Sequence, residues 1–85
     1  METRVALISM IVQDQESALE INALLHAYRQ YIIGRMGIPY APKKISIISI
    51  AIDAPQDIIS ALSGKLGALR GVSAKTVYSK VEGAN

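Results

Sequence analysis

The stretch KISIISIAID, residues 44–53, decides the fold of this 85-residue chain. Isoleucine recurs at odd and at even positions, so both faces of a strand formed here are apolar. The stretch RVALISMIV, residues 4–12, has the same property. An antiparallel sheet that meets water on one side normally shows polar residues on that side. Both stretches are therefore predicted to be central strands of one sheet, with both of its faces covered.

Two helices and two further strands complete the pattern. Apolar residues recur at helical spacing over residues 15–29, where Asp14 is the predicted N-cap. They recur again from Ile58 to Leu69, after Asp53-Ala54-Pro55-Gln56, in which Asp53 is the predicted cap and Pro55 lies in the first turn. The predicted stripes are Ala18, Ile21, Leu24, Leu25 and Tyr28 on the first helix, and Ile58, Ile59, Leu62, Leu66 and Leu69 on the second. The second strand is predicted over residues 31–38, ended by the prolines that follow, and the last over residues 72–81 after Gly71.

The order β-α-β-β-α-β predicts an α+β, ferredoxin-like sandwich, in which both helices cover one face of a four-stranded antiparallel sheet. Residues 1–81 would form this single domain, and residues 82–85 a flexible tail. The sequence offers no third helix for the other face. A second copy is therefore the expected cover, which predicts a homo-oligomer, a dimer or a tetramer.

Composition excludes several classes of function. With 51% hydrophobic and 19% charged residues the chain is globular, and the absence of cysteine excludes disulfides and thiolate metal sites. A net charge of +2, with scattered lysines and arginines and no aromatic residue on the third strand, argues against nucleic-acid binding. No secretory leader or membrane span is visible, so a cytoplasmic protein without membrane attachment is expected.

The sequence shows no convincing catalytic or metal-binding motif. The segment Ser63-Gly64-Lys65-Leu66-Gly67 partly matches the motif of a phosphate-binding loop, but Leu66 occupies the position where that motif has a magnesium-binding Ser or Thr. His26 is the only histidine, predicted to lie exposed beside Asn22 and Arg29, and it makes a poor metal site by itself. No nucleophile is paired with a base. The sequence therefore predicts no enzyme, no metal and no cofactor.

Glycines and one arginine carry the remaining signals. Arg35 lies between Gly34 and Gly37, where it could reach an anionic ligand at a subunit boundary or simply protect an edge strand. Ser60, Gly64 and Gly67 are predicted to face away from the apolar stripe of the second helix. Gly67 could cap that helix, or the three residues could form a smooth surface for a partner.

Two segments carry a family resemblance. The first segment is Gly34-Arg35-Met36-Gly37-Ile38-Pro39-Tyr40. The second is Leu62-Ser63-Gly64-Lys65-Leu66-Gly67, followed by Gly71-Val72 and Lys75-Thr76. With these segments the sequence resembles the iron-only hydrogenase system regulators, and the resemblance extends from the first strand to Val81. The resemblance implies a ferredoxin-like fold, related to ACT domains and to the C-terminal domain of nickel-responsive repressors, and a role in regulating hydrogenase. The repressors' His and Cys ligands are missing. ACT domains that bind amino acids usually have a glycine after the first strand, and residues 12–16 have none, which argues against that mode of binding.

Two functional hypotheses follow. The first is a regulatory or sensory homo-oligomer that binds a small molecule or a partner protein at subunit boundaries. Its candidate contact residues are Asp14, Gln15, Gly34, Arg35, Gly37, Ser63, Gly64 and Lys65. The second is a purely structural protein–protein interaction module with no small ligand, favoured by the smooth face around Gly64.

Overall fold

A computed structural model describes residues 2–80. Its elements are β1 (Arg4–Val12), α1 (Ala18–Ala27), β2 (Ile32–Tyr40), β3 (Ile45–Ala54), α2 (Gln56–Gly67) and β4 (Val72–Tyr78). Short 3-10 turns precede α1 (Gln15–Ser17), follow it (Arg29–Tyr31) and join β2 to β3 (Ala41–Lys43). The strands form one antiparallel sheet in the order β2-β3-β1-β4. The ferredoxin-like prediction and the central position of the first and third strands are thus confirmed.

The hydrophobic core lies between one face of the sheet and the two helices. Alternate residues of β1 and β3 point into it, and those from Ala6 to Val12 and from Ile50 to Ala54 have side chains that are at most 2% exposed. The core side chains of the strands are Ala6, Ile8, Met10, Val12, Ile50, Ile52, Ala54 and Val72, and those of the helices are Ile21, Leu25, Ile59, Leu62 and Leu66. Burial of each large aliphatic side chain stabilises the fold by about 1.5–3 kcal/mol. Both helices therefore cover the same side of the sheet.

The start of α1 follows the sequence prediction in part. Asp14 is an N-cap, because its Oδ1 accepts a hydrogen bond of 2.9 Å from the Glu16 amide. The first turn is a 3-10 turn with about three residues per turn, which shifts the phase of the face that follows. As a result Ala18, predicted in the apolar stripe, is exposed. Ser17 is buried instead, and its Oγ donates a hydrogen bond of 2.7 Å to the carbonyl oxygen of Arg70.

The prediction that Asp53 caps the second helix is wrong. Asp53 still belongs to β3, where it pairs with Val5, so its backbone is held in the sheet. Pro55 occupies the N-cap position and offers no side-chain hydrogen bond. Within the first turn, the Asp57 carboxylate accepts a hydrogen bond of 3.0 Å from the Ile58 amide.

The second strand is longer than predicted. It runs through Pro39 to Tyr40, past the proline that was expected to end it. The reason is that β2 is an edge strand, and a proline there need not interrupt a ladder on both sides. A register shift between Ile32 and Gly34 marks an irregularity near the start of β2. At the other edge β4 ends at Tyr78, so the predicted strand is too long, because Ser79 and Lys80 do not belong to it. Val81 and the predicted tail 82–85 lie outside the described residues.

Gly71 fixes the approach of β4 to the end of β1. Its φ of 69° lies in the left-handed region that favours glycine. A Cβ at this position would stand 2.6 Å from Asp14 Cβ and 2.8 Å from the Asp14 nitrogen. The Gly71 carbonyl also accepts a hydrogen bond of 2.7 Å from the Gln13 amide. This glycine is therefore required for a close contact between two backbone segments.

Neither α1 nor α2, nor any other helical stretch between residues 2 and 80, has the length and apolar character needed to cross a membrane.

Candidate functional site

The sheet face opposite the helices carries a concentration of exposed apolar side chains. Ten large hydrophobic side chains are exposed among residues 2–80, and the strand register places eight of them on this one face. We call it the open sheet face, and these eight are Val5, Leu7, Ile11, Met36, Ile38, Tyr40, Ile47 and Val77. They come from all four strands and are 38–62% exposed. A contiguous apolar surface of this kind typically marks an interaction site.

Few polar groups interrupt the open sheet face. Near its centre Ser9 and Ser49 are cross-strand partners, and their Oγ atoms lie 3.1 Å apart in a mutual hydrogen bond. Each hydroxyl thus has a partner within the chain, which lowers the cost of removing it from water. Two charged residues belong to this face: Asp53 lies near the end of β3, and Lys75 lies on the edge strand β4, where it pairs with Ser9. The two central strands therefore place no charge at the middle of the face, and the nearest charge is on the edge strand beside it.

Asp14 and Gln15, predicted as ligand contacts, lie after the end of β1. The Asp14 carboxylate caps the following turn, and its Oδ2 lies 3.6 Å from Nε of Arg70. These contacts, together with the close approach of Gly71, explain Asp14 through the structure of the turn. Gln15 is exposed and lines a shallow depression beside Tyr40 and Lys44.

Ser63, Gly64 and Lys65 lie inside α2, as the sequence indicated, and they face different ways. Ser63 Oγ accepts a hydrogen bond of 2.8 Å from Thr76 on β4. Lys65 turns towards α1, where its Nζ donates to the Tyr28 hydroxyl at 3.0 Å and lies 5.4 Å from the centre of that ring. The two side chains therefore do not converge on one ligand.

The glycines of α2 also differ from each other. No atom lies within 4 Å of a Cβ built on Gly64, so that position faces open space, as predicted. A Cβ on Gly67 would lie 3.8 Å from Ala74 Cβ on β4. Gly67 is exposed, as predicted, but it lies at the margin of the outward face, next to β4. Ser60 and Gly64 form the part of the smooth surface that lies away from β4.

The second strand divides its predicted residues between the two sides of the sheet. Gly34 is paired with Ala51 and belongs to the open sheet face. Arg35 and Gly37 are paired with Ile50 and Ile48, so they occupy positions on the helix side. The three candidate groups thus lie in different parts of the molecule and do not form one pocket.

Arg35 belongs instead to a cleft between β2 and the end of α1. This cleft, which we call the α1–β2 cleft, has a volume of about 330 Å³. Its lining residues are Asn22, Leu25, His26, Arg29, Ile32 and Arg35. The sequence placed Asn22, His26 and Arg29 on one exposed helix surface but did not connect them with Arg35. The spacing of Asn22, His26 and Arg29 along the chain was the signal that they share one surface. The position of Arg35 beside them depends on the register of β2 with β3, which the spacing does not give.

Within residues 2–80, no three His, Asp or Glu side chains come close enough together to hold a metal ion.

Comparison with solved structures gives two informative neighbours. The uncharacterized protein TM1266 from Thermotoga maritima is 39% identical, with a TM-score of 0.87, and the match covers 93% of this chain and 100% of that one. A formyltetrahydrofolate deformylase from Pseudomonas putida KT2440 is 11% identical with a TM-score of 0.62, covering 86% of this chain and 28% of the deformylase. The second likeness shows a shared fold alone. No curated protein was found to match the chain.

The family comparison agrees with the first of these neighbours. The model described as "TM1266-like: Iron-only hydrogenase system regulator, putative" matches residues 4–76, from the start of β1 into β4. This range includes both glycine-containing segments on which the sequence resemblance was based. The chain therefore belongs to the TM1266-like family of iron-only hydrogenase system regulators.

Proposed function

We propose that this chain is a small regulatory module, not a catalyst, that acts as a homo-oligomer of paired open sheet faces. Ligands or partner proteins would bind at the boundaries between its subunits. The family description supports the regulatory role. The concentration of eight exposed hydrophobic side chains on one sheet face supports the oligomer and is the observation that carries the proposal. A cytoplasmic location is part of the same proposal.

The dimensions of the open sheet face suit a second copy of the same chain. Four strands spaced about 4.8 Å apart, each about 30 Å long, give a face of roughly 550 Å². Pairing two such faces would bury about 1,100 Å², which is above the roughly 1,000 Å² expected of a specific interface. A two-fold arrangement needs only one self-complementary patch, and this face carries exposed apolar side chains from all four strands.

Regulation would operate through the way the subunits pack. A ligand that binds one packing arrangement more tightly than another shifts the population towards the first, by no more than that difference in affinity. Gly34 and Tyr40 lie on an edge strand of the open sheet face, so their surroundings would change with the packing of a second copy. A boundary site near β2 is therefore sensitive to assembly.

A charge placed on the open sheet face tests the proposal. Leu7 is 45% exposed on the central strand β1, so a Leu7→Glu variant keeps its carboxylate in water in a folded monomer. In the oligomer the same carboxylate would be buried without a partner, which costs several kcal/mol. Leu19→Glu is the matched control, because Leu19 is 82% exposed on α1.

Light scattering coupled to size-exclusion chromatography gives the readout, and circular dichroism checks the fold. We expect the wild type and Leu19→Glu to be oligomers of equal mass and Leu7→Glu to be a folded monomer. If Leu7→Glu fails to fold, Met36→Glu replaces it, since Met36 is 55% exposed on the edge strand. A folded face variant that keeps the mass of the wild type would contradict the proposal.

The alternative is a purely structural interaction module, and the open space around Gly64 favours it. Since no atom lies within 4 Å of a Cβ there, Gly64→Arg can be accommodated without disturbing the fold. A partner bound on the smooth surface of α2 would be displaced by that arginine. Loss of a partner protein by Gly64→Arg, with the oligomer intact, would support this alternative over a small-molecule regulator.

A further inference from the structure

The α1–β2 cleft combines cationic side chains from two elements. Asn22, His26 and Arg29 extend along one side of α1 and the turn that follows, and Arg35 reaches across from β2. The Nη2 atom of Arg35 donates a hydrogen bond of 3.3 Å to Oδ1 of Asn22. The Nη1 atom of Arg29 donates one of 2.9 Å to the carbonyl oxygen of His26 at the end of α1. Each arginine is thus oriented by one neutral acceptor and keeps further N–H donors for another group.

No carboxylate neutralises this cleft. None of its lining residues is acidic, and the ion pair found among residues 2–80 joins Arg70 with Asp14 at the end of β1. The neighbouring groove between α1 and α2 differs, since there Glu20 and Lys65 provide one charge of each sign. Two guanidinium groups that line one cleft without a counter-charge repel each other, and an anion between them removes that repulsion.

The base of the cleft is apolar. Leu25 is 3% exposed and belongs to the core, and Ile32 is half-buried beside it. A free inorganic ion would leave this surface unused, whereas an organic group attached to the anion would cover it. A volume of about 330 Å³ is at the small end of the range for ligand sites, which suits a small metabolite.

We infer that the α1–β2 cleft binds a small organic anion, with its phosphate or carboxylate group held by Arg29 and Arg35 and its apolar part on Leu25 and Ile32. Guanidinium groups present paired N–H donors that match both kinds of oxyanion. His26 adds a further nitrogen on the same side. The inference goes beyond the proposed function, because it places a ligand site apart from the boundary between subunits. The cleft lies on the helix side of the sheet, away from the open sheet face, so the two can be tested separately.

Phenyl phosphate is a suitable probe, because it joins a phosphate to a small apolar ring, and inorganic phosphate is its matched comparison. Both are titrated into the full-length protein at fixed ionic strength while amide chemical shifts are recorded by NMR. We expect phenyl phosphate to bind at least about tenfold more tightly than inorganic phosphate, because its ring buries apolar surface. The shifts should be confined to the end of α1 and the start of β2.

Charge-removing variants show whether the arginines hold the anion. Arg35→Gln and Arg29→Gln should each weaken phenyl phosphate about tenfold, as expected for the loss of a charged hydrogen bond. Lys43→Gln removes an equal charge from the exposed turn between β2 and β3 and should change the affinity less than twofold. Leu7→Glu should leave binding intact even where it dissociates the oligomer.

Three results would overturn the inference: no shifts in the cleft, equal affinity for the two phosphates, or equal weakening by Lys43→Gln and the arginine variants. Loss of binding in Leu7→Glu would also overturn it, because the ligand would then depend on the subunit boundary. The face-to-face oligomer would stand after any of the first three results, since its own test measures mass.

Discussion

Replacing Gly71 by alanine should destabilise the chain strongly, although it adds a single methyl group. Gly71 has a φ of 69°, a conformation that costs an alanine roughly 1–2 kcal/mol. The added Cβ would stand 2.6 Å from Asp14 Cβ and 2.8 Å from the Asp14 backbone nitrogen. Relieving that overlap requires the backbone to shift, and overpacking of this kind costs about 1–3 kcal/mol.

Together these effects predict a loss of roughly 2–5 kcal/mol in the free energy of unfolding, a large share of the stability of a small domain. Urea denaturation followed by circular dichroism measures it, at one protein concentration, because association adds to apparent stability. Gly64→Ala is the matched control. With no atom within 4 Å of its Cβ, it should stabilise the exposed helix by about 0.5–1 kcal/mol. An ordinary surface substitution changes the free energy of unfolding by about 0.5 kcal/mol or less. A Gly71→Ala variant within that margin of the wild type would show that neither the backbone conformation nor the contact with Asp14 requires a glycine here.

Two further variants test the structural roles assigned near this turn. Asp14→Ala should lower the free energy of unfolding by about 1 kcal/mol, because the cap is lost. Asp14→Asn keeps the cap and should cost about half as much, since the ion pair that it removes, with Arg70, is exposed. Equal losses in the two denaturation curves would contradict the capping role. Ser17→Ala should cost about 1–3 kcal/mol, because it leaves the Arg70 carbonyl without its 2.7 Å partner. An unchanged thermal midpoint for Ser17→Ala would show that water replaces the hydroxyl at no cost.

The sheet could be predicted from sequence because its central strands carry an unambiguous signal. Apolar residues on both faces of residues 4–12 and 44–53 require two covers, and the order of elements provides only one. Because both faces are apolar, the pattern did not show which side of each strand packs against the helices. The helix start at Pro55 was missed because Asp53, a good cap by residue type, is held in the ladder by its pairing with Val5. Pairing in the sheet therefore overrode the preference of Asp53 for a helix N-cap position.

The candidate residues were harder to predict, because a site depends on which side of an element each side chain takes. Ser63 and Lys65 are two positions apart in the chain, yet one contacts β4 and the other α1. Arg35 was identified as a possible anion contact, but its cleft with Asn22 depends on a strand register that periodicity alone does not fix. Asp14 was identified by its chemistry and is explained by the turn it stabilises.

The proposed regulation depends on the pairing of the open sheet face with the same face of another copy. Native mass spectrometry of the wild-type protein at micromolar concentration tests it most directly. We expect a dimer or a tetramer, in which the eight apolar side chains of this face are covered. A monomer at every concentration up to the highest that stays soluble would contradict it.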